Sequence, residues 1–249
     1  MLTVAILTHN EEKNIERCLR SVIWAGEILV IDDCSGDQTA ALVSRFSREN
    51  RHCHLLTRKL NGDFAAQRNF ALSKTAGDWI LFLDADEEVT PELAAEIQQT
   101  LAGTPCVGYF IKRSDSFRQR MLRHGETGRV KLLRLGRKEA GFWRRKVHEF
   151  WDIKGKTGEL KTPLMHYPHP TVRDFLDSVN YYSGIDAGEL AKEGKSFRYW
   201  RVVINPLGKF LQNYLLKRGL LDGEAGLVMA WLMSFQSLVV RVKMYEQNL

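Results

Sequence analysis

Cysteine is scarce in this chain, with four in 249 residues, and Cys18, Cys34, Cys53 and Cys106 form no Cys-x-x-Cys pair. That excludes a disulfide framework and a thiolate zinc site, and it suits a reducing cytosol. Six prolines and nineteen glycines in an otherwise ordinary composition exclude collagen-like and disordered chains. The N-terminal Met1–Leu7 has no basic n-region and no cleavage site, so it does not read as a signal peptide. The polar segment after the first apolar run, Thr8-His9-Asn10-Glu11, contains no glycine. The Gly-rich phosphate loop with which a nucleotidyltransferase usually opens is therefore missing. No nucleic-acid-binding motif is present either. Long apolar runs are also lacking. The longest charge-free stretch, Ala225–Val240, holds sixteen residues, including Ser234, Gln236 and Ser237. As a helix it reaches about 24 Å, short of a hydrocarbon core. Core packing, an interfacial helix and an oligomer contact all remain open for it.

Charge is present but segregated. The net +6 conceals thirteen Lys/Arg against three acids in residues 112–146, and eight against three in residues 195–249. The remainder of the chain is near −9. Two basic blocks on an acidic body point to anionic partners: phosphate, nucleic acid or a membrane surface. Lys195 to Arg218 carries six basic residues and no acid, interleaved with Phe, Trp and Leu, which favours an anionic membrane face.

The first hundred residues alternate apolar runs with helical patterns. Leu2–Leu7, Glu27–Ile31, His52–Leu56 and Trp79–Leu83 read as strands. A helix starting near Asn10 or Glu11 buries Ile15, Cys18, Leu19 and Val22. A second, capped by Asp37, buries Ala40, Val43 and Phe46. A third spans about Phe64–Lys74, and a fourth opens at Pro91 after Thr90 as N-cap. This spacing predicts an α/β fold with right-handed β-α-β units and a parallel sheet whose polar strand ends share one rim. Thr8–Glu11, Asp32–Asp33 and Asp84–Asp86 fall on that rim, where open α/β sheets bind ligands. Two Asp one residue apart, Asp84 and Asp86, can turn toward one cation that accompanies a diphosphate. Glu87 and Glu88 read as solvated acids.

After residue 105, Val107–Lys112, Val130–Leu135, Phe142–Val147 and Lys161–His166 read as short mixed or antiparallel strands. From Thr171, paired with Asp174 in a capping box, the chain turns helical, with Phe175, Leu176, Val179 and Tyr182 inward. Pro206 predicts a break or kink.

Taken together, Val4–Glu11, Val30–Thr39, Ala66-Gln67-Arg68-Asn69 and Gly77–Glu87 resemble family 2 glycosyltransferases, in order and spacing, over about the first ninety residues. Val147-His148-Glu149-Phe150-Trp151 and the helical tail are similar to a bacterial branch that adds glucose to heptose in the lipopolysaccharide inner core. The resemblance implies a GT-A (Rossmann-like) mixed sheet flanked by helices, with a C-terminal helical appendage. Residues 1–170 would form the catalytic domain, 1–105 being its nucleotide-sugar half and 106–170 its acceptor half; residues 171–249 would be helical and face a membrane or a second subunit.

The resemblance also implies roles. Thr8, Asn10, Glu11 and Asp33 would hold the uridine of a UDP-sugar donor, Arg68 would face base or phosphate, and Asp84 would lie toward ribose. Asp86 would ligate Mg2+ or Mn2+ with a downstream histidine, His166 first and His169 second. Glu149 would be the base of an inverting displacement, with Asp115 and Asp152 as competitors and an ion pair to Arg144 or Arg145 as its structural alternative. Where the family more often carries Glu-Asp, this chain has His148-Glu149. Arg118, Arg120, Arg123 and Lys131 would steer an acidic glycolipid acceptor. The implied location is cytoplasmic, peripheral on the anionic inner membrane. The alternatives are a glycosyltransferase on another glycan or lipid acceptor and, in a different class, a non-catalytic anionic-surface or nucleic-acid-binding protein; acids crowding the rim speak against nucleic acid.

Overall fold

A computed structural model gives the structure of the chain and describes residues 1–117, 120–146, 149–168 and 171–246. Two compact units divide it, Met1–Arg113 with Lys131–His166, and Ser114–Val130 with Tyr167–Leu249. Segment 114–130 thus goes with the helical tail, which differs from a single boundary at residue 170.

In the first unit the strands β1 (Leu2–Thr8), β2 (Glu27–Asp32), β3 (Cys53–Thr57) and β4 (Trp79–Asp84) alternate with α1 (Ile15–Ser21), α2 (Thr39–Glu49) and α3 (Phe64–Lys74). They lie parallel in the order β3-β2-β1-β4. Alternate side chains of these strands serve opposite faces. Val4, Ile6, Val30, Leu81 and Leu83 pack with Ile15, Leu19, Val43 and Phe46. Ala5, Ile31, Ile80 and Phe82 pack on the other face with Ala65, Leu72, Trp143 and Trp151. Burial on both faces is why the strands are continuous apolar runs.

The chain continues through β5 (Glu87–Glu88), α4 (Pro91–Leu101), β6 (Gly108–Phe117), β7 (Arg120–Met121), β8 (Lys131–Arg137), β9 (Gly141–Arg144), β10 (Phe150–Ile153), β11 (Thr157–Glu159) and β12 (Leu164–His166). The sheet extends beyond β4 through β8, β6, β12 and β5, with β8 antiparallel to β4 and to β6. It is therefore a mixed sheet, parallel at the N-terminal side. β9 and β10 form a separate antiparallel pair.

Two helix starts differ from expectation. α1 begins at Ile15 because Asn10 is left-handed (φ 54°) and the Glu11 carbonyl closes a turn with the amides of Asn14 and Ile15. Gln38, not Asp37, is the N-cap residue of α2, although an Asp37 oxygen still accepts from the Thr39 amide at 2.9 Å.

In the second unit, α5 (Val172–Lys192) starts with the Thr171–Asp174 capping box. Phe175 and Val179 are buried, whereas Leu176 and Tyr182 are exposed. α6 (Tyr199–Leu211) runs through Pro206 without a break. The Pro206 carbonyl accepts from Ser234 Oγ at 2.7 Å, and the irregular turn comes later, as a π-helical segment over Gln212–Leu216. α7 (Gly223–Glu246) has 24 residues. Among the described residues one helical run, Gly219–Glu246, is long and apolar enough by length and composition to cross a membrane.

Candidate active site

Strand register builds the site. Thr8 pairs with Asp32 and Leu7 with Asp84, so the carboxyl ends of β1, β2 and β4 stop level with one another. The next residues stay on that rim, the Asp33 amide donating to the Thr8 carbonyl (2.9 Å) and the Ala85 amide to that of Leu7 (3.0 Å).

On the β1–β2 side, Asp32 is a turn builder. Its carboxylate accepts from the Ser35 amide at 3.0 Å and hydroxyl at 2.5 Å. The neighbouring Asp33 accepts from the Leu60 amide at 2.7 Å. Asn10 ties the two loops together, its Oδ1 accepting from the Gly36 amide at 2.8 Å. Thr8 Oγ1 is buried and has no hydrogen-bond partner among the described residues. Burial pushes the Glu11 carboxyl up to about 7, opposed by a hydrogen bond from Asn14 and reinforced by the charges of Asp86, Asp37 and Asp84. Glu11 and the β4 carboxylates therefore share one electrostatic neighbourhood.

At the end of β4 lies a buried charge network. Arg68, on α3, is only 2% exposed. Its Nη2 donates to Asp84 Oδ1 at 2.8 Å and its Nε to Glu149 Oε1 at 3.0 Å. The guanidinium lies over the Trp143 ring, 4.8 Å from its centroid. That ring is fixed by stacking on Trp151 at 5.5 Å and by a two-way backbone clamp from Asn69 at 2.9 Å. Arg134, on β8, takes the other Asp84 oxygen at 2.5 Å and lies 3.5 Å from Glu87 Oε1. Burial alone would raise the Asp84 carboxyl, but Arg134 and Arg68 overcome it and hold it well below the usual range. Burial also pushes the Glu87 carboxyl up, against the pull of Arg134.

Glu149 thus finds its ion pair in Arg68; Arg144 is engaged by Asp152 at 2.6 Å. Asp115 lies in the other unit. Glu87 corrects the sequence reading, since it is fully buried and accepts from the Asp84 amide at 2.9 Å. Arg134 was not anticipated. Its signal was a lone cation inside the apolar strand Leu132-Leu133-Arg134-Leu135, facing a rim already rich in acids.

Asp86 and His166 also come together. His166, opposite Glu87 in the β5–β12 pairing, has Nε2 at 3.2 Å from Asp86 Oδ2. One carboxylate and one imidazole suit a divalent cation that takes its remaining ligands from a diphosphate and water. No group of three metal-ligating side chains occurs among the described residues, so a cation here would depend on the substrate for its coordination. His169, Arg118, Val147 and His148 lie outside the described residues. Of the proposed acceptor-steering residues, Arg120 and Arg123 sit in the helical unit, and Lys131 in the first unit pairs with Glu159 at 2.7 Å.

Comparison with known proteins gives the family and the fold. Along its whole length the chain is similar to a lipopolysaccharide core biosynthesis glycosyltransferase, LpsC of Rhizobium meliloti, with 25% identity over 256 residues, 99% of this chain and 93% of that protein. An uncharacterised glycosyltransferase of Rickettsia typhi is 26% identical over 262 residues, covering 100% of this chain and 88% of its own. The fold matches a mannosyltransferase of Pyrobaculum calidifontis solved with GDP-mannose and Mn2+ (TM-score 0.57, 14% identity, 100% of this chain and 88% of that one). It also matches Staphylococcus aureus TarS 1–349 solved with UDP-GlcNAc (TM-score 0.53, 17% identity, 76% of this chain and 66% of that one). These are GT-A folds. The family model described as glycosyl transferase family 2 matches residues 3–154, from the first strand to just beyond Glu149. That span takes in both carboxylates held by Arg68, and the chain belongs to glycosyl transferase family 2.

Proposed function

We propose that the protein is an inverting glycosyltransferase that moves a hexose, glucose in the first instance, from a UDP-sugar to a heptose of a lipopolysaccharide core acceptor. One observation carries this reading. A single buried guanidinium, Arg68, joins Asp84 at the end of a donor-side strand to Glu149 before β10. A donor-side and an acceptor-side carboxylate are thereby held at a fixed separation, as a displacement between two bound substrates requires. The full-length similarity to LpsC supports the acceptor class.

In this reading Thr8, Asn10, Glu11 and Asp33 hold the uridine, and Asp84 lies toward the ribose. Asp86 and His166 would hold Mg2+ or Mn2+, which supplies charge neutralisation for the departing diphosphate. Glu149 accepts the proton of the acceptor hydroxyl. The hydroxyl oxygen bonds to the anomeric carbon as the bond from that carbon to the diphosphate breaks, turning an α-linked donor into a β-linked product. Arg68 orients Glu149 and Asp84 together. The basic residues Arg120, Arg123 and Lys131 attract the phosphorylated acceptor. The work takes place in the cytoplasm, at the inner membrane that carries the acceptor.

The test is transfer from UDP-glucose, UDP-galactose and UDP-N-acetylglucosamine, with Mn2+, to a heptose-terminated core acceptor. The expected result is a β-linked glucose product, with Glu149→Gln lowering kcat by about 10²- to 10⁴-fold while donor affinity is kept. Near-normal turnover by that variant would remove Glu149 as base. Absence of transfer from all three donors would remove the reading itself.

A further inference from the structure

The helical unit buries apolar residues such as Phe175 and Val179, yet it leaves large apolar side chains of α6 and α7 exposed. On α6 the buried residue is Pro206, and the polar contacts made toward the rest of the unit come from half-buried Lys209 and from the turn that follows the helix. Asn213, in the π-helical turn that follows α6, is buried and accepts from the Glu126 amide at 2.8 Å, and Lys209 pairs with the Glu126 carboxylate at 2.6 Å. The residues turned outward are apolar. Trp200, Val203, Ile204, Leu207 and Leu211 are each at least half exposed, and their spacing of three and four residues makes one continuous stripe. α7 also leaves large apolar residues outside. Its buried positions are mostly small, Ala225, Gly226, Ala230 and Ser234, while Leu227, Val228, Trp231 and Phe235 are exposed. The two helices meet where Phe210 and Trp231 lie 4.5 Å apart.

Water disfavours such an arrangement, because an exposed apolar stripe of this extent has a transfer free energy that folding has left unused. Small residues between helices and large apolar residues outside is the distribution that a lipid surroundings selects. The charges say which surface. From Lys195 to Asp222 the sequence has six basic residues and no acid before Asp222 itself. Arg198 and Arg218 are exposed at the two ends of the α6 segment. Tyr199 and Tyr245 gather around Phe197, each ring 5.1 Å away, as an aromatic cluster of the kind found at a headgroup level.

We propose that the outward faces of α6 and α7 dock on the surface of an anionic lipid bilayer, the apolar stripes entering the headgroup–acyl boundary and the arginines meeting lipid phosphate. This inference stands on the helical unit alone and does not depend on the transferase reading.

The test is sedimentation of the full chain with vesicles of phosphatidylcholine containing about one-third phosphatidylglycerol, against vesicles of phosphatidylcholine alone. Binding is expected on the mixed vesicles, weaker by tenfold or so on the neutral ones. The double variant Ile204→Glu, Leu207→Glu changes only exposed positions and is expected to lose binding by about a hundredfold, with its melting temperature kept. A second measurement uses the unaltered chain. Brominated lipid should quench its tryptophan emission, and Trp200→Phe with Trp231→Phe should abolish the quenching. Absence of binding and quenching on mixed vesicles would overturn the proposal. So would a stable dimer that Ile204→Glu, Leu207→Glu turns into monomer in the absence of any lipid binding. Retention in the membrane pellet through alkaline carbonate washing would mean a spanning helix and would overturn docking as well.

Discussion

Arg68 and Arg134 do different work although both reach Asp84. Arg68 links two carboxylates that belong to different elements, so it sets a distance; Arg134 compensates charge, since Asp84 and the fully buried Glu87 share it. Replacing Arg134 with Met leaves the fully buried Glu87 without its cation, while the partly exposed Asp84 keeps Arg68. A loss of about 3–5 kcal/mol is expected in a urea denaturation series, the penalty for breaking a buried pair from one side. Glu11 gives a prediction in pH. Its carboxyl is raised from 4.5 to about 7, so between those values the folded chain binds more protons than the unfolded chain. Its contribution is therefore fully favourable below 4.5 and is lost as pH rises through about 7. Glu11→Gln removes this dependence, and its melting temperature relative to the wild type should climb from pH 5 to pH 8. A constant difference across that range would refute the assignment.

Among the elements, the parallel strands are interchangeable in kind but not in what they end on. β1, β2 and β4 each stop level with the rim because their apolar runs have matched lengths and their registers are in step. α7 is held by a different device. Gly226 packs so closely on the preceding turn that a Cβ there would lie 1.9 Å from the Gly219 carbonyl oxygen, a backbone atom that cannot swing aside. Gly226→Ala should therefore cost at least the 1–3 kcal/mol typical of overpacking, read as a lowered thermal midpoint of the helical unit. An unchanged midpoint would show that the turn can shift.

Over the molecule as a whole, the net charge of +6 is the sum of two basic blocks and an otherwise acidic chain whose acids include the sheet rim, which suits the proposed anionic donor held through a cation. Binding to the folded state alone stabilises it, by about 2.7 kcal/mol at a ligand concentration a hundred times Kd. UDP with Mn2+ should accordingly raise the melting temperature well beyond UDP alone, and duplex DNA should leave it unmoved. Equal shifts with UDP in the presence and absence of Mn2+ would argue against Asp86 and His166 as cation ligands.

Much of this was legible in the residue order. Apolar runs ending in acids announce buried strands with polar carboxyl ends, and right-handed β-α-β connections then put Thr8, Asp33, Asp84 and Asp86 on one rim without further information. Thr90-Pro91 and Thr171–Asp174 mark helix starts because capping is local chemistry. Only the tertiary structure decided who pairs with whom. Arg68 could have been an exposed helix charge, and Glu149 could have paired with Arg144. Glu87 looked solvated until β8 delivered Arg134 beside it. The same holds for α6. Its periodicity defines an apolar face and a polar face, but periodicity is silent on which one turns inward. Contacts distant in sequence settled that: the Glu126 carboxylate pairs with Lys209, the Glu126 amide donates to Asn213 just beyond α6, and Ser234 donates to the Pro206 carbonyl, which leaves Ile204, Leu207 and Leu211 outside.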